Sequence, residues 1–142
     1  MKTILVTIAL SLTTYFLTAQ AEPEISSEGT TITVFVPVHS GEGMVRVGLY
    51  NAENFMQKPS VGIDSEIVDL KATVTFKNVI PGEYAVILYH DKNNNKQMDF
   101  DPNGMPLEMY GMSNNPMSYG PPRWSEAKFE VGTVPLEMEI RL

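Results

Sequence analysis

Apolar residues recur at every second position through most of the chain, and that period restricts the fold more than any other feature. Ile32, Val34, Val36 and Val38 alternate with Thr31, Thr33 and Phe35. Val45, Val47 and Leu49 alternate with Met44, Arg46 and Gly48, and Ala72, Val74 and Phe76 with Thr73, Thr75 and Lys77. At the end, Val134, Leu136, Met138, Ile140 and Leu142 alternate with Thr133, Pro135, Glu137, Glu139 and Arg141. Side chains of an extended backbone point to opposite faces in turn, so each run reads as a strand with one buried and one wet face. A helix needs a period of 3.6, and only 52–58 has room for a helical turn.

Segment 83–90 departs from this pattern in an informative way. Tyr84, Val86 and Leu88 face one side while Ala85, Ile87 and Tyr89 face the other, so both faces are apolar and the strand belongs at the centre of a sheet. Pro81-Gly82 supplies a turn just before it. A weaker strand covers 61–70, and Ala127, Phe129 and Val131 mark another. Pro37 and Pro135 cannot donate to a ladder, which predicts edge positions or bulges for their strands. The sum is an all-β fold, an Ig-like or transthyretin-like antiparallel β-sandwich of about seven strands. Neither a repeat nor a linker interrupts it, so 22–142 reads as one domain. The longest irregular stretch, 91–126, exceeds ordinary loop lengths and is expected to be functional, ion-ordered or internally structured.

Residues 1–21 read as an export signal: Lys2 is a short positive region, 3–17 is apolar and uncharged, and Ala19-Gln20-Ala21 has the small-x-small form of a cleavage site. The apolar run is shorter than the roughly 20 residues that span a bilayer, so membrane insertion after cleavage is not expected. The expected destination is the periplasm or the extracellular space. Removing 1–21, which carries one lysine and no acid, takes the net charge from −7 to −8. That balance argues against nucleic acid or an anionic membrane surface as a partner, since both select basic patches. The chain has no cysteine, which excludes disulfides, thiol nucleophiles and cysteine-ligated zinc.

Directly after the central strand stands His90-Asp91-Lys92-Asn93-Asn94-Asn95-Lys96-Gln97-Met98-Asp99-Phe100-Asp101. Oxygen donors recur at alternate positions: Asp91, Asn93, Asn95, the Gln97 carbonyl and Asp99. This is the first half of a calcium loop, D-x-[DN]-x-[DN], in which alternating side chains of a curled backbone converge on one hard cation. Two positions depart from it. Lys96 stands where glycine usually makes the sharp turn, and Pro102 stands twelfth where a bidentate glutamate is usual. Asp101 or Glu108 is then the candidate for the missing carboxylate. The competing reading is an asparagine-rich turn whose side chains bond the local backbone. Calcium, if held, is expected at a dissociation constant of roughly 0.1–1 mM, the range of extracellular modules.

Other constellations are thinner. Met98, Met105, Met109, Met112 and Met117 crowd one segment, and with His39 or His90 they form a candidate Cu(I) set, against the alternative that they fill irregular packing. Tyr110, Asn114, Asn115, Tyr119 and Trp124, with Ser113 between them, combine aromatic faces with amides and are candidate contacts for a glycan, a peptide or a protein surface. Only His39 and His90 are available as a catalytic base, and no G-x-S-x-G element accompanies them. The residues therefore point to a non-catalytic binding or structural module, with copper handling as the alternative.

Pro81-Gly82-Glu83-Tyr84-Ala85-Val86 leading into His90-Asp91, then Asn93, Asn95 and Asp99, resembles the bacterial family domain of unknown function 2141. The resemblance continues through Gly104, Pro106, Glu108, Tyr110-Gly111, Ser113-Asn114-Asn115, Gly120-Pro121-Pro122, Trp124, Glu126-Ala127 and Phe129, with 45–51 upstream. It covers most of the chain after the export signal, and Lys96 departs from its pattern. The resemblance implies an exported, sandwich-like domain and supplies no activity.

Overall fold

The computed structural model describes residues 28–142; the export signal expected at 1–21, and the leader up to 27, lie outside the described residues. Eight strands and one helical turn follow in order. They are β1 (Thr30–Pro37), β2 (Met44–Tyr50), β3 (Val61–Ser65), β4 (Lys71–Val79), β5 (Gly82–Asp91), β6 (Tyr110–Met112), α1 (Trp124–Ala127), β7 (Phe129–Val131) and β8 (Leu136–Glu139). A three-stranded sheet has the order β4-β1-β8, and a five-stranded sheet the order β3-β2-β5-β6, with β7 also pairing β5. The fold is the expected all-β sandwich.

The alternation in the sequence becomes the core between the sheets. Ile32, Val34 and Val36 of β1, Val45, Val47 and Leu49 of β2, Val74 and Phe76 of β4, and Val86 and Leu88 of β5 are all at most 2 % exposed and form one cluster. Burying a side chain of this size stabilises the fold by about 1.5–3 kcal/mol. β5 is central, flanked by β2 on one side and by the short β6 and β7 elsewhere along its length. Its second apolar face is covered by a small satellite core. There Ala85, Met112 and Ala127 are buried, with Phe55, Ile87, Tyr110 and Trp124 packed around them.

Several sequence expectations need adjustment. β8 runs parallel to β1, whereas the other strand pairings described are antiparallel. Strand β1 is the middle of its sheet, not an edge, and the irregularity in its pairing with β4 falls between Thr30 and Ile32, away from Pro37. Pro37 is tolerated there because it is the strand's last residue, beyond Phe35 where the pairing with β8 ends. Pro135 precedes the edge strand β8, as its missing N–H requires. Val134 is 69 % exposed, so the last strand begins later than the alternation implied. Residues 52–58 form turns, and the helical turn lies at α1 instead. The stretch 91–126 is internally structured, carrying β6 and most of α1. Among the described residues no helix is long and apolar enough to cross a membrane.

Candidate functional site

The polar segment after β5 closes on itself. Met44 and Val45 of β2 face Asp91 and His90 in register, so the loop starts from a fixed, paired strand end. His90 points to the core side, is 1 % exposed, and donates from Nε2 to the Glu42 carbonyl at 2.6 Å. That carbonyl can only accept, which places the proton on Nε2. Gly43 beside it has φ of 73°, and a Cβ there would overlap the Asp91 carbonyl oxygen. The backbone of 42–43 is thus the seat on which the loop begins.

Asp91 is 1 % exposed, and its carboxylate organises the turn. Oδ1 accepts the Asn95 N–H at 3.2 Å and Oδ2 the Lys96 N–H at 2.9 Å. Asn93 Oδ1 also accepts from Asn95 N at 3.2 Å, and Asn95 Oδ1 from Gln97 N at 3.0 Å. The amide groups of Asn93 and Asn95 then donate to the two oxygens of Asp99, each at 2.7 Å. Glu108, 8 % exposed, returns from the far side of the loop: Oε1 accepts Lys92 N at 3.2 Å and Oε2 accepts Asp99 N at 3.3 Å. Both carboxylate oxygens of Asp91, of Asp99 and of Glu108 therefore meet a donor from the chain itself. This satisfies the rule that buried polar groups find partners, and it makes 91–108 a closed polar clasp.

Lys96 takes φ of 66°, the left-handed conformation that glycine usually supplies at this position, and its side chain is exposed. The backbone makes the sharp turn despite the substitution, at a steric cost of about 1–2 kcal/mol for an L-residue. Asp101 goes elsewhere. Its Oδ1 accepts from Asn103 N and Met105 N, both at 2.8 Å, capping a separate turn that the Phe100–Pro106 bridge closes. Of the two carboxylates weighed for the missing ligand position, the geometry brings Glu108 to the clasp and not Asp101. Gln97 is exposed and contributes its N–H to Asn95. Among the described residues no group of three His, Asp or Glu side chains is placed to hold a metal ion, so a cation here would depend on asparagine and backbone oxygens.

Electrostatically the clasp leans on Arg46. This side chain, 18 % exposed on the outer face of β2, pairs through Nε and Nη2 with both oxygens of Asp64 on β3, and its Nε lies 4.0 Å from Asp91 Oδ2. Tyr89 stands opposite Arg46 in register. Burial raises the Tyr89 phenol above its ordinary value; Arg46 partly offsets this, while Asp91, Glu108 and Asp64 reinforce it.

The residues expected to contact a ligand are mostly spent on structure. Tyr110 donates its hydroxyl to the Gly120 carbonyl at 2.9 Å. Asn114 donates to the Glu126 and Lys128 carbonyls, both at 2.9 Å, and Asn115 to the Glu139 carbonyl at 2.8 Å. Trp124 packs edge-on against Phe55, with ring centroids 5.5 Å apart. Tyr119 alone stands free, 99 % exposed. The methionines occupy unlike surroundings: Met112 is in the satellite core, whereas Met105, Met109 and Met117 are exposed. His39 is exposed, and His90 faces inward to Glu42. A surface hollow, lined by Glu28, Thr30, Pro81 and Pro135 among others, adjoins the start of β5, the far end of that strand from Asp91.

Sequence reasoning missed Gly43 and Arg46, and it placed Ser113 among candidate contacts and not in the interior. Arg46 carried one usable signal, a cation at an outward position of an otherwise apolar strand in an acidic chain. Ser113 is fully buried, accepts from Val86 N at 3.0 Å and donates to the Ala127 carbonyl, a role that no spacing announces.

A family model described as "Uncharacterized protein conserved in bacteria (DUF2141)" matches residues 34–139, about three quarters of the chain. The comparisons with curated proteins and with solved structures return no match.

Proposed function

Since the chain belongs to the DUF2141 family, whose description carries no activity, we propose on physical grounds that it is an exported, non-catalytic β-sandwich module whose 91–108 clasp is its ligand-responsive element, with calcium as the ligand. One observation carries this reading. The backbone at Lys96 adopts the left-handed turn of a calcium loop, and around it Asp91, Asn93, Asn95, Asp99 and Glu108 converge in one hydrogen-bonded unit. In this reading Asn93 and Asn95 turn their oxygens, instead of their amide groups, toward Asp99, and the cation takes the place of the donors they now supply. Calcium favours such a set of six to eight oxygens at about 2.3–2.6 Å. Its effect is to tighten the clasp and the segment up to β6 that hangs from it.

The non-catalytic part is supported by His90, whose Nε2 is committed to a backbone carbonyl in the interior. The test is a thermal melt in about 5 mM calcium and in chelator, a concentration above the roughly 0.1–1 mM dissociation constants of extracellular sites. A higher melting temperature in calcium that Asp91→Ala abolishes is the expected result. Identical melts would overturn the calcium reading. Metal analysis of protein purified without chelator is the companion measurement.

A further inference from the structure

We infer that Arg46 is the internal counter-charge of the clasp, standing in for a cation at Asp91 and thereby setting how strongly the loop takes one up. The inference rests on the reading of 91–108 as a cation-responsive element and adds a residue that neither the loop motif nor the family description assigns. Asp91 is 1 % exposed, so its charge cannot be left to solvent. Two backbone N–H groups reach its oxygens, and the nearest full positive charge described is Arg46, whose Nε lies 4.0 Å from Oδ2. The guanidinium is itself held in place, because Asp64 clamps it through both oxygens from the neighbouring strand. Its position is also fixed by the sheet, with Asp64, Arg46 and Tyr89 side by side across β3, β2 and β5.

The clamp decides the sign of each effect. A cation arriving at Asp91 meets the repulsion of the Arg46 guanidinium, whose charge Asp64 partly offsets. Asp64 in turn takes up part of the Arg46 charge, so losing Asp64 hands Arg46 more fully to Asp91. Arg46→Gln is therefore expected to tighten calcium binding, and Asp64→Asn to weaken it.

Each variant needs a partner that changes the same charge without touching Asp91. Lys77→Gln removes a positive charge from the exposed face of β4 in the other sheet, and Glu66→Gln removes a negative charge just past the end of β3. Calcium titration of the intact domain, followed by isothermal calorimetry or by the melting temperature, reads wild type and all four variants. The expected result is a dissociation constant for Arg46→Gln lower than wild type by roughly tenfold, on the scale of one charge at a few ångströms. Lys77→Gln should leave it unchanged, and Asp64→Asn should raise it more than Glu66→Gln does. Equal or weaker binding by Arg46→Gln, or absence of binding in both wild type and Arg46→Gln, overturns the inference. Binding by Arg46→Gln with none by wild type supports it while removing the calcium reading of the native protein. Should Arg46→Gln fail to fold, the Asp64→Asn and Glu66→Gln pair decides alone: a larger loss of affinity with Asp64→Asn supports the inference, and equal losses overturn it.

Discussion

The side chain of Asn115 docks on the backbone at Glu139 as a strand would: Nδ2 donates to the Glu139 carbonyl at 2.8 Å, and Oδ1 accepts the Arg141 N–H at 2.8 Å. The amide thereby joins the segment after β6, in the five-stranded sheet, to β8 in the three-stranded one. β8 is only four residues long and pairs with β1 alone, so this link holds its otherwise open side. Asn115 has φ of 45°, a left-handed conformation that asparagine tolerates better than most residues.

Asn115→Ala removes both hydrogen bonds and places a Cβ-bearing residue without local compensation in that conformation. At about 1 kcal/mol per bond and about 1 for the backbone, a loss near 3 kcal/mol is expected. Asn115→Gly keeps the backbone conformation accessible and isolates the amide, so it should lose about 2 kcal/mol. Urea unfolding of the three proteins measures both, and an alanine variant as stable as wild type would refute the docking role.

Gly111 is expected to tolerate no side chain. It lies on the core side of β6, where a Cβ would overlap the Arg141 carbonyl oxygen and sit 3.0 Å from Ile140 Cγ2. Backbone is what blocks it, and backbone cannot step aside as a flexible side chain can. Gly111→Ala should destabilise by about 2–4 kcal/mol, the scale of overpacking with backbone displacement. Gly62→Ala, whose Cβ would meet only Pro59 Cγ at 3.6 Å, should stay within about 1 kcal/mol of wild type. Comparable losses at the two positions would show that close approach is not the cause.

These two positions also show where sequence stops being informative. The strands were legible because burial imposes a period of two on the side chains themselves, and the apolar second face of β5 marked its central place. The clasp was legible in its local half, because Asp91, Asn93, Asn95 and Asp99 lie close to one another along the chain, and Glu108 was legible only as one of two candidates beside Asp101. Glu108 closes the clasp from nine residues beyond Asp99, and Arg46 reaches Asp91 from forty-five residues before it, across a strand pairing. Asn114 and Asn115 looked like ligand donors because an exposed amide and an amide spent on a distant carbonyl have the same letter. The parallel β8 was illegible for a related reason: alternation tells which face a strand buries and is silent on the direction of its neighbour.

Lys96→Gly tests the turn directly. Glycine adopts φ of 66° without the steric penalty of about 1–2 kcal/mol, but gives back roughly 0.5–1 kcal/mol of unfolded-state entropy. A net gain of about 0.5–1 kcal/mol in chelator is expected from these opposing effects. Removing the lysine charge from the loop should also tighten calcium binding. Urea midpoints with and without calcium separate the two, and a destabilised glycine variant would mean that Lys96 contributes contacts which outweigh its backbone cost.

Tyr50 gives the fold a weakness at alkaline pH. Its ring lies across Gly48 on the outer face of β2, close enough that a Cβ there would come within 2.7 Å of it, and meets Phe55 edge-on with centroids 6.2 Å apart. Burial raises the phenol above its ordinary value of 10.0, so the folded state keeps a proton that the unfolded state has released. The stability this contributes is intact below the unfolded value and is lost as pH climbs through the raised folded one. Wild type should therefore lose stability above about pH 10, and Tyr50→Phe, which cannot ionise, should lose less over the same interval. Urea midpoints at about pH 8 and about pH 11 bracket the unfolded tyrosine value and measure the difference. Because Tyr89 is raised in the same direction, part of the decline should survive in Tyr50→Phe. A decline of the same size in both proteins would place the alkaline sensitivity on other groups and leave the Tyr50 ring with a packing role only.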